Sequence, residues 1–430
     1  MQLCLFEDDQ VSGLRPLVET RAAYDLRLGL RTLLETAHDA FGPDGLLLHS
    51  RPLVAGVTAQ SHDDVPVNTL PDGADVLFVN GRFVAAGPAV DEIRGHASRG
   101  GEARAFVQDD SVVAAWLPDA VDHLPPDALQ SSALSADLFS DLPTTTLDDA
   151  ALVGRPWDLL GTLSPALQRD ITARTGTLPT RPLPDRPHAD VHPSVTSVRT
   201  EQIHLGSGAT VRPGAILNAK DGPIYVDKNA TIFEQAVVRG PCYIGPKTQI
   251  KPMADLQNVA FGYYCKVGGE VHDTVIHSLS NKSHPGFLGH AYLGRWCNLG
   301  ADTNNSNLKN DYGSVSAYAP DEGSFVDTGR QFAGLFMGDH SKCGINTMFN
   351  TGTVVGTCCN LYGGDFPPRY VPPFSWGGPA HGFSEYRLDK ALSVAERVMG
   401  RRDTPFTDAD RALLTSLFER TADERAAHHS

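Results

Sequence analysis

Three histidines lie close together in the stretch VHDTVIHSLSNKSHPGFLG, at His272, His277 and His284. Imidazole titrates near neutral pH, so each histidine can take up a proton during a reaction or, when neutral, bind a metal ion. Lys251 precedes this stretch and several asparagines follow it in NNSNLKNDYG. A single histidine or lysine is more often a solvated side chain, so a functional interpretation depends on the elements that position these residues.

Those elements repeat every six residues. Between Met337 and Gly364, apolar residues recur at every sixth place, and small residues follow four places after the first four of them. The apolar set is Met337, Cys343, Phe349, Val355 and Leu361, and the small set is Ser341, Thr347, Thr353 and Cys359. This period fits neither a helix nor a plain strand, but it is typical of a hexapeptide parallel β-helix. The first position points inward and the fifth sits at a tight corner.

The same repeat begins at Leu205 and is interrupted twice after Val267. Before the interruptions it runs through Leu205, Val211, Leu217, Val226, Ile232, Val238, Ile244, Ile250, Leu256, Phe261 and Val267. Residues 272–285 and 304–332 are the two interruptions, while Leu293 and Leu299 keep the register between them. Insertions in a solenoid map to loops, and loops carry functional sites. We therefore expect the chemistry at these two places.

Residues 1–178 lack the repeat and read as a mixed α/β domain. We expect strands at 3–6, 45–48, 76–79 and 105–117 and a helix over 24–37. Prolines in residues 179–193 predict a stiff linker. The β-helix should then occupy 194–378 and a helical tail 379–430. In that tail, one helix carries Leu388, Leu392, Ala395 and Met399, and Thr407 with Asp410 caps a second one. We expect these helices to close the open end of the β-helix or to pack on a neighbouring subunit.

Composition limits the partners. The 430 residues carry a net charge of −15, which disfavours nucleic acid and anionic membranes as partners but leaves small phosphorylated ligands possible. No apolar run reaches the length of a membrane span, and the N-terminus MQLCLFEDDQ has no signal-peptide pattern, so we expect a cytoplasmic protein. The seven cysteines include no CxxC pair. Cys242, Cys265, Cys297 and Cys359 fall at the small fifth position and should be packed, reduced thiols.

The stretch GLRPLVETRAAYDLRLGLRTLLE, beginning at Gly13, resembles the opening of sugar-nucleotide pyrophosphorylases. Those enzymes bind a triphosphate with a glycine-rich loop and basic residues, so the resemblance makes Arg15 and Arg21 candidate nucleotide-phosphate contacts. The glycine-rich loop itself is absent here. Asn80-Gly81-Arg82 stands where the family carries an Asn-Gly-Asp-like turn whose Asp helps to hold Mg²⁺. Because a guanidinium cannot bind a cation, Mg²⁺ is implied only if this divergent domain is active.

The segment SHPGFLGHAYLGRWCNLGADTNNSN, from Ser283, resembles the acetyltransferase half of bifunctional N-acetylglucosamine-1-phosphate uridyltransferases, whose β-helix is left-handed. The resemblance implies that His284 is the general base and that a backbone N–H in the Gly300-Ala301 turn stabilises the oxyanion. It makes the following residues substrate contacts: Lys251, Phe287, Asn298, Asn307 and, as a further basic candidate, Lys309. Phe287 replaces the family's tyrosine, so the acceptor can differ in its polar groups. For Asn307, a turn or stacking role is the alternative.

This second resemblance implies an acetyl-coenzyme A-dependent transferase that acts on an amino-sugar phosphate or a sugar nucleotide. It also implies a homotrimer with active sites between neighbouring prisms. The predicted architecture is an α/β nucleotidyltransferase-like domain, an all-β left-handed parallel β-helix and short C-terminal helices. Two alternatives keep the same fold: a sugar-1-phosphate nucleotidyltransferase with a structural β-helix, and a non-catalytic scaffold that binds sugar nucleotides.

A third alternative is a zinc enzyme. The spacing of His272 and His277 resembles that of γ-class carbonic anhydrases, which are left-handed β-helix trimers with three histidines on zinc. No third histidine occupies a comparable earlier coil. His204, His284, His290 or His340 would have to supply the missing ligand. We therefore predict no metal site from the sequence.

Overall fold

A mixed six-stranded sheet forms the centre of the N-terminal part. The computed structural model describes residues 1–71, 73–125, 127–175 and 188–429. The first eight strands are β1 (Gln2–Phe6), β2 (Arg27–Leu28), β3 (Arg31–Thr32), β4 (Gly45–Leu48), β5 (Val76–Asn80), β6 (Arg104–Gln108), β7 (Ser111–Leu117) and β8 (Thr144–Thr146). The sheet order is β4-β1-β5-β7-β6-β8, with β1 parallel to β4 and β5. The helices are α1 (Leu33–Phe41), α2 (Pro52–Ser61), α3 (Pro88–Ser98), α4 (Pro156–Gly161) and α5 (Leu163–Thr175).

Two predictions for this part were wrong in detail. The helix expected over 24–37 begins only at Leu33, and the residues before it form a short 3-10 turn and the β2-β3 hairpin. Thr32 and Glu35 form a capping box at the start of α1, which fixes where that helix begins. The single strand expected over 105–117 is a hairpin of β6 and β7, turned at Asp109, whose φ is +49°. The other three predicted strands are confirmed.

The second part is a parallel β-helix of about ten coils, of the left-handed type. Its strands up to the second interruption are β9 (Asp190–Val191), β10 (Thr196–Val198), β11 (Ile203–Leu205), β12 (Thr210–Val211), β13 (Ile216–Asn218), β14 (Ile224–Val226), β15 (Thr231–Ile232), β16 (Val237–Ile244), β17 (Gln249–Ile250), β18 (Asp255–Phe261), β19 (Lys266–Val267), β20 (Glu270–Ser278), β21 (Asn281–Lys282), β22 (Phe287–Gly289), β23 (Tyr292–Arg295), β24 (Asn298–Leu299) and β25 (Asn304–Asn305). The remaining strands are β26 (Ser316–Ala319), β27 (Ser324–Asp327), β28 (Leu335–Met337), β29 (Lys342–Cys343), β30 (Met348–Phe349), β31 (Thr353–Val355), β32 (Asn360–Leu361), β33 (Tyr370–Val371), β34 (Ser375–Gly378) and β35 (Gly382–Glu385).

The six-residue repeat explains this architecture. Val237 pairs with Asp255 and Phe336 with Val354, each eighteen residues further along, so three repeats make one coil. The predicted inward residues from Leu205 to Leu361 form one continuous buried core. The residue before the small fifth position often has a left-handed φ, as at Asn229 and Gln235. A small side chain follows because the chain turns sharply there. The predicted packing of the four fifth-position cysteines is confirmed, since all seven cysteines are buried and free.

Only one of the two predicted interruptions is an insertion. Residues 272–285 contain most of β20 and all of β21, which pair in register with β18, β19 and β24, so this segment is an ordinary coil. The polar residues of this segment obscure the six-residue repeat in the sequence. The second interruption is real, because residues 304–332 include β25 and the antiparallel β26-β27 hairpin, which projects beyond the coil. His284 therefore lies on the body of the β-helix rather than on a projecting loop.

The two parts pack closely against each other. A shared apolar cluster joins residues 11–33 and the helices α4 and α5 to aromatic residues on the outside of the β-helix, among them Tyr243, Tyr292 and Phe336. The first nine residues of the linker predicted at 179–193, residues 179–187, lie outside the described residues, and the description resumes at His188. The boundaries of the predicted domains stay a prediction.

The C-terminal helices connect both parts. They are α6 (Leu388–Gly400), α7 (Asp408–Arg420) and α8 (Ala422–His428), and the predicted capping box of Thr407 and Asp410 is present. They do not close the open end of the β-helix: α7 packs against α2, with Leu413 in the core of the N-terminal part, and α6 packs on the side of the last coils at Phe374. Packing on a neighbouring subunit stays a prediction. No helix in the described parts of the chain is long and apolar enough to cross a membrane.

Candidate active site

His284 and Ala301 lie at equivalent positions on adjacent coils. Asn281 pairs with Asn298 across β21 and β24, and His284 and Ala301 each follow three residues after these partners. Neighbouring strands of a sheet are about 4.8 Å apart, so the two residues are stacked along one edge of the β-helix. The His284 side chain is exposed. The N–H of Ala301 donates no hydrogen bond to any residue that the structure describes, and it is therefore available to a ligand.

Lys251 lies along the same edge, two coils before His284. Gly268 lies between Lys251 and Ser283 on the β-ladder and is in close contact with both residues. Lys266 lies next to it, and burial followed by repulsion from Lys266 lowers the pKa of Lys251. The two lysines are neighbours because Lys266 lies opposite Gln249, whose Oε1 accepts a hydrogen bond of 2.9 Å from Lys251 Nζ. This pair therefore supports the predicted phosphate contact at Lys251 and adds Lys266, which the sequence did not single out.

Phe287 and Asn307 meet above Gly289. A Cβ atom on Gly289 would collide with the ring of Phe287 and would lie 2.7 Å from Asn307 Nδ2. The glycine in this motif therefore has a packing reason, because only a hydrogen leaves room for both side chains. Asn307 Nδ2 is 3.0 Å from His290 Nδ1, and His290 stacks on Phe332. Phe287 and Asn307 thus form a second, aromatic-lined part of the site, one strand along the coil from His284.

The other predicted contacts differ in their surroundings. Asn298 is exposed and accepts a hydrogen bond of 3.2 Å from Asn281 Nδ2, so it lies on the edge that carries His284. Lys309 is on the insertion after β25, where it pairs with Asp311 at 3.1 Å. It lines a separate open groove with Asn350 and Arg369. The structure therefore groups Lys251, Asn298, His284 and Ala301 along one edge and leaves Lys309 apart.

A buried lysine supports the turn that carries His284. Lys282 occupies the inward column between Val267 and Leu299 and is only 1% exposed. Its ammonium donates hydrogen bonds to the backbone carbonyls of His284, at 2.6 Å, and Pro285, at 3.3 Å. Burial lowers its pKa to about 8, against the opposing effects of Asp302 and Cys343. A lysine at an inward repeat position is a signal that sequence reasoning missed, because 272–285 was taken for an interruption.

Lys282→Met should remove a pH dependence of stability. Because the folded-state pKa of Lys282 lies below that of an unfolded lysine, near 10.5, the unfolded chain binds more protons between these values. The free energy of unfolding of the native protein should therefore gain up to about 3 kcal/mol relative to Lys282→Met as the pH rises from 8 to 10.5. Urea denaturation at both pH values measures the difference. Lys390→Met, which removes an exposed lysine, should follow the native protein, and equal behaviour of both variants would refute the assignment.

The place that corresponds to a nucleotidyl-transfer site is filled by ion pairs. Asp8, at the end of β1, binds Arg82 at 2.6 and 2.8 Å and accepts a bond of 2.9 Å from Asn80. Glu7, which is fully buried, pairs with Arg51. Mg²⁺ needs carboxylates with free oxygen lone pairs and room for water, whereas both carboxylates here are already neutralised by guanidinium groups. These residues do not fit a Mg²⁺ site.

Arg15 and Arg21, the predicted phosphate contacts, are also paired. Arg15 binds Glu19 at 3.1 Å and Glu424, on α8, at 2.8 Å. Arg21 is buried and pairs with Asp339 of the β-helix. Both arginines thus fasten the N-terminal part to its neighbours. A nucleotide phosphate could reach them only if these ion pairs opened, and their proposed role stays a prediction.

The geometry does not bring the zinc candidates together. His277 is buried against the N-terminal part, with Nε2 2.8 Å from the carbonyl of Asp25, and burial lowers its pKa well below the usual value. His272 lies five residues earlier on β20, before the corner at Asp273, and is beside Phe287. Both histidines follow an inward residue, Val271 or Ile276, so they lie outside the core on different sides of the β-helix. Within the described residues, no group of three or more His, Cys, Asp or Glu side chains could hold a metal ion.

Comparison with known proteins covers both parts of the chain. Residues 3–177 match a family model described as sugar nucleotidyl transferase. A bifunctional protein GlmU from Rippkaea orientalis is 31% identical over 106 residues, which are 24% of this chain and 22% of that protein. A bifunctional sugar-1-phosphate nucleotidylyltransferase/acetyltransferase from Sulfurisphaera tokodaii is 29% identical over 129 residues, 30% of each. The chain thus aligns with less than a third of either relative's length.

Among solved structures, a UDP-N-acetylglucosamine acyltransferase from Campylobacter jejuni is similar with a TM-score of 0.32 and 12% identity, over 53% of this chain and 95% of that one. The family match and the two curated relatives confirm the resemblance predicted from the sequence. The chain thus joins a region that matches the sugar nucleotidyl transferase model to a parallel β-helix.

Proposed function

We propose that the β-helix transfers an acetyl group from acetyl-coenzyme A to the amine of an amino-sugar phosphate or sugar nucleotide. The observation that carries this proposal is the edge on which His284, the unpaired N–H of Ala301 and Lys251 lie, with Lys266 on the adjacent strand. This edge offers a base, an oxyanion donor and a phosphate contact in one line. The relatives described as bifunctional, one of them as an acetyltransferase, agree with it.

In this mechanism each group has one role. The ammonium groups of Lys251 and Lys266 hold the sugar phosphate at the edge. His284 takes the proton from the amine as its nitrogen attacks the thioester carbonyl, and the N–H of Ala301 donates to the oxygen that becomes negative. The C–S bond then breaks as the new C–N bond is completed, and the proton held by His284 can pass to the departing thiolate. Lys282 positions His284 through the carbonyls of its turn.

The exposed surroundings of this edge support a homotrimer. Met253, two residues after Lys251, is 72% exposed, and Ile345, which lies against Gly300, is 69% exposed. Exposed apolar side chains beside a functional edge are typical of a surface that another subunit covers. We propose that a neighbouring prism covers them and closes the acyl site. Light scattering should then give three times the mass of the chain, and a monomer would remove the proposed intersubunit site.

Release of free thiol tests the transferase proposal. The full chain is mixed with acetyl-coenzyme A and glucosamine 1-phosphate, and a thiol reagent follows coenzyme A. We expect saturable release that requires both substrates. If acetyl-coenzyme A does not bind at all, the β-helix is a scaffold for sugar nucleotides rather than an enzyme.

The N-terminal part should have no nucleotidyl-transfer activity. Asp8 and Glu7 are occupied by Arg82 and Arg51, so Mg²⁺ and a triphosphate have no free carboxylate to share. We expect no pyrophosphate release from nucleoside triphosphates and sugar 1-phosphates with Mg²⁺ present. Robust Mg²⁺-dependent turnover would show that the ion pairs open, and it would restore the alternative in which the β-helix is structural.

A further inference from the structure

A cavity of about 180 Å³ lies where the N-terminal part, the β-helix and the C-terminal helices meet. The N-terminal part contributes Arg21 and Thr58, and the β-helix contributes Arg295, Trp296 and His340 at successive corners. Leu413 and its neighbours on α7 close the third side. One water needs only about 10–15 Å³ of such space, so the cavity can hold a small ligand. Ligand pockets for drug-sized molecules usually exceed about 300 Å³, so a nucleotide would not fit.

The walls of this cavity carry polar atoms that lack partners. Arg21 Nε, Thr58 Oγ1 and His340 Nδ1 are buried and make no hydrogen bond. Arg21 and Thr58 are 3% and 1% exposed, respectively. Burying a donor without an acceptor is unfavourable, because the group loses its hydrogen bonds to water and gains none in return. Three such atoms around one cavity therefore indicate that an acceptor-rich molecule completes their hydrogen bonds.

One positively charged side chain in the cavity, that of Arg295, also lacks an ion-pair partner among the described residues. Arg295 forms no ion pair with any described carboxylate, and its Nε only approaches His277 Nδ1 at 3.4 Å. Burial and then the neighbouring Arg21 lower the pKa of Arg295, whereas Asp339 and Asp25 oppose the shift. A second anion beside Arg21 and Arg295 would relieve their repulsion.

The carboxylates nearby are already engaged. Asp339 accepts hydrogen bonds from Thr20 Oγ1, at 2.8 Å, and from the backbone N–H of Arg295, at 2.7 Å, besides its ion pair with Arg21. Asp25 is 2.9 Å from His62 Nε2. Burial lowers the pKa of His340 to about 3, so its imidazole is neutral at pH 7 and carries no charge. Asp410, which also lines the cavity, accepts hydrogen bonds from the backbone N–H of Thr407, at 2.9 Å, and from its hydroxyl, at 2.8 Å. In the described parts of the chain, the groups without partners are the buried polar atoms named above and the guanidinium of Arg295.

We infer that this interdomain cavity binds one phosphate group, held by Arg295 and by the free donors of Arg21 and Thr58. A tetrahedral oxyanion matches the size of the cavity, and its oxygens accept bidentate hydrogen bonds from guanidinium groups. The ligand is inorganic phosphate or the phosphate end of a small ester. Because its partners come from parts of the chain that are far apart in sequence, the bound anion stabilises the docking of the two domains. The inference is independent of acyl transfer.

Thermal unfolding and calorimetry of the full chain test the inference. Inorganic phosphate, glycerol 3-phosphate and chloride are compared at equal ionic strength. Phosphate should raise the Tm and bind at one site per chain, because a ligand that binds only the folded state stabilises it. Arg295→Gln should weaken phosphate binding roughly ten- to hundredfold. Arg94→Gln, which alters an exposed arginine on α3, is the matched control and should bind as the native protein does.

Thr58→Val keeps the shape of the side chain and removes only the unpaired hydroxyl. Without phosphate, this variant should be at least as stable as the native protein, yet phosphate should raise its Tm less. Stronger binding of glycerol 3-phosphate than of phosphate would identify an ester as the ligand, and the reverse order would identify the free ion. The inference is overturned if phosphate stabilises the native protein no more than chloride does, or if Thr58→Val and Arg295→Gln bind phosphate with native affinity.

Discussion

His284→Gln is expected to lower kcat for acetyl transfer to glucosamine 1-phosphate by a factor of roughly 100 to 10,000, the usual contribution of a general base. Glutamine keeps the polarity of the side chain but cannot take a proton at neutral pH. Because the His284 side chain is exposed, the substitution should leave the fold and the free energy of unfolding nearly unchanged. KM for the sugar phosphate should change little, since Lys251 and Lys266 make the phosphate contact.

His272→Gln is the matched control for this prediction. His272 lies on the neighbouring side of the β-helix, beside Phe287, and not on the edge that carries Ala301. Its replacement should reduce kcat by less than about tenfold. Thiol-release kinetics of both variants decide the matter. If His284→Gln turns over as fast as the native protein, His284 is not the base. The same conclusion follows if His272→Gln loses more activity than His284→Gln.

Arg82→Met is expected to lower the free energy of unfolding by about 3–5 kcal/mol, because it leaves the Asp8 carboxylate buried without its partner. Arg82 is 1% exposed and also donates to the carbonyl of Val153, at 3.0 Å. The effect should be larger at pH 7 than at pH 4, where protonation of the orphaned Asp8 relieves the unpaired charge. Urea denaturation of the native protein and the variant measures the loss.

A double-mutant cycle separates the ion pair from the loss of packing. Asp8→Asn removes the negative charge, so Asp8→Asn/Arg82→Met should be more stable than the sum of the single losses predicts, by at least about 1 kcal/mol. Arg94→Met, at an exposed arginine, should change stability by less than about 0.5 kcal/mol. A loss at Arg82 no larger than that at Arg94 would mean that Arg82 does not neutralise a buried Asp8 carboxylate.

Much of the fold could be predicted from the six-residue period of the sequence. The inward residues from Leu205 to Leu361 predict the β-helix, because each coil must bury the same three positions. Lys282 breaks that pattern, since a buried lysine at an inward position looks like the end of the repeat. The region around Tyr24 was taken for a helix because its leucines are spaced for one, whereas contacts with Tyr292 hold it as a hairpin.

The site was only partly predictable. The motif around His284 identified the edge, but the position of Lys266 opposite Gln249, on the strand beside Lys251, depends on the number of residues in each coil, which the sequence shows only after the register is known. The interdomain cavity could not be predicted at all. It depends on how Arg21 and Thr58 meet Arg295, and no local pattern encodes contacts between residues so distant in the chain.

Identification of the acetylated product tests the central claim most directly. The full chain is incubated with acetyl-coenzyme A and either glucosamine 1-phosphate or glucose 1-phosphate, which lacks the amine, and the sugars are examined by mass spectrometry. We predict that glucosamine 1-phosphate gains one acetyl group on nitrogen, that glucose 1-phosphate does not, and that His284→Gln forms little product. Unchanged glucosamine 1-phosphate, or equal acetylation of both sugars, would contradict an amine acetyltransferase at this edge.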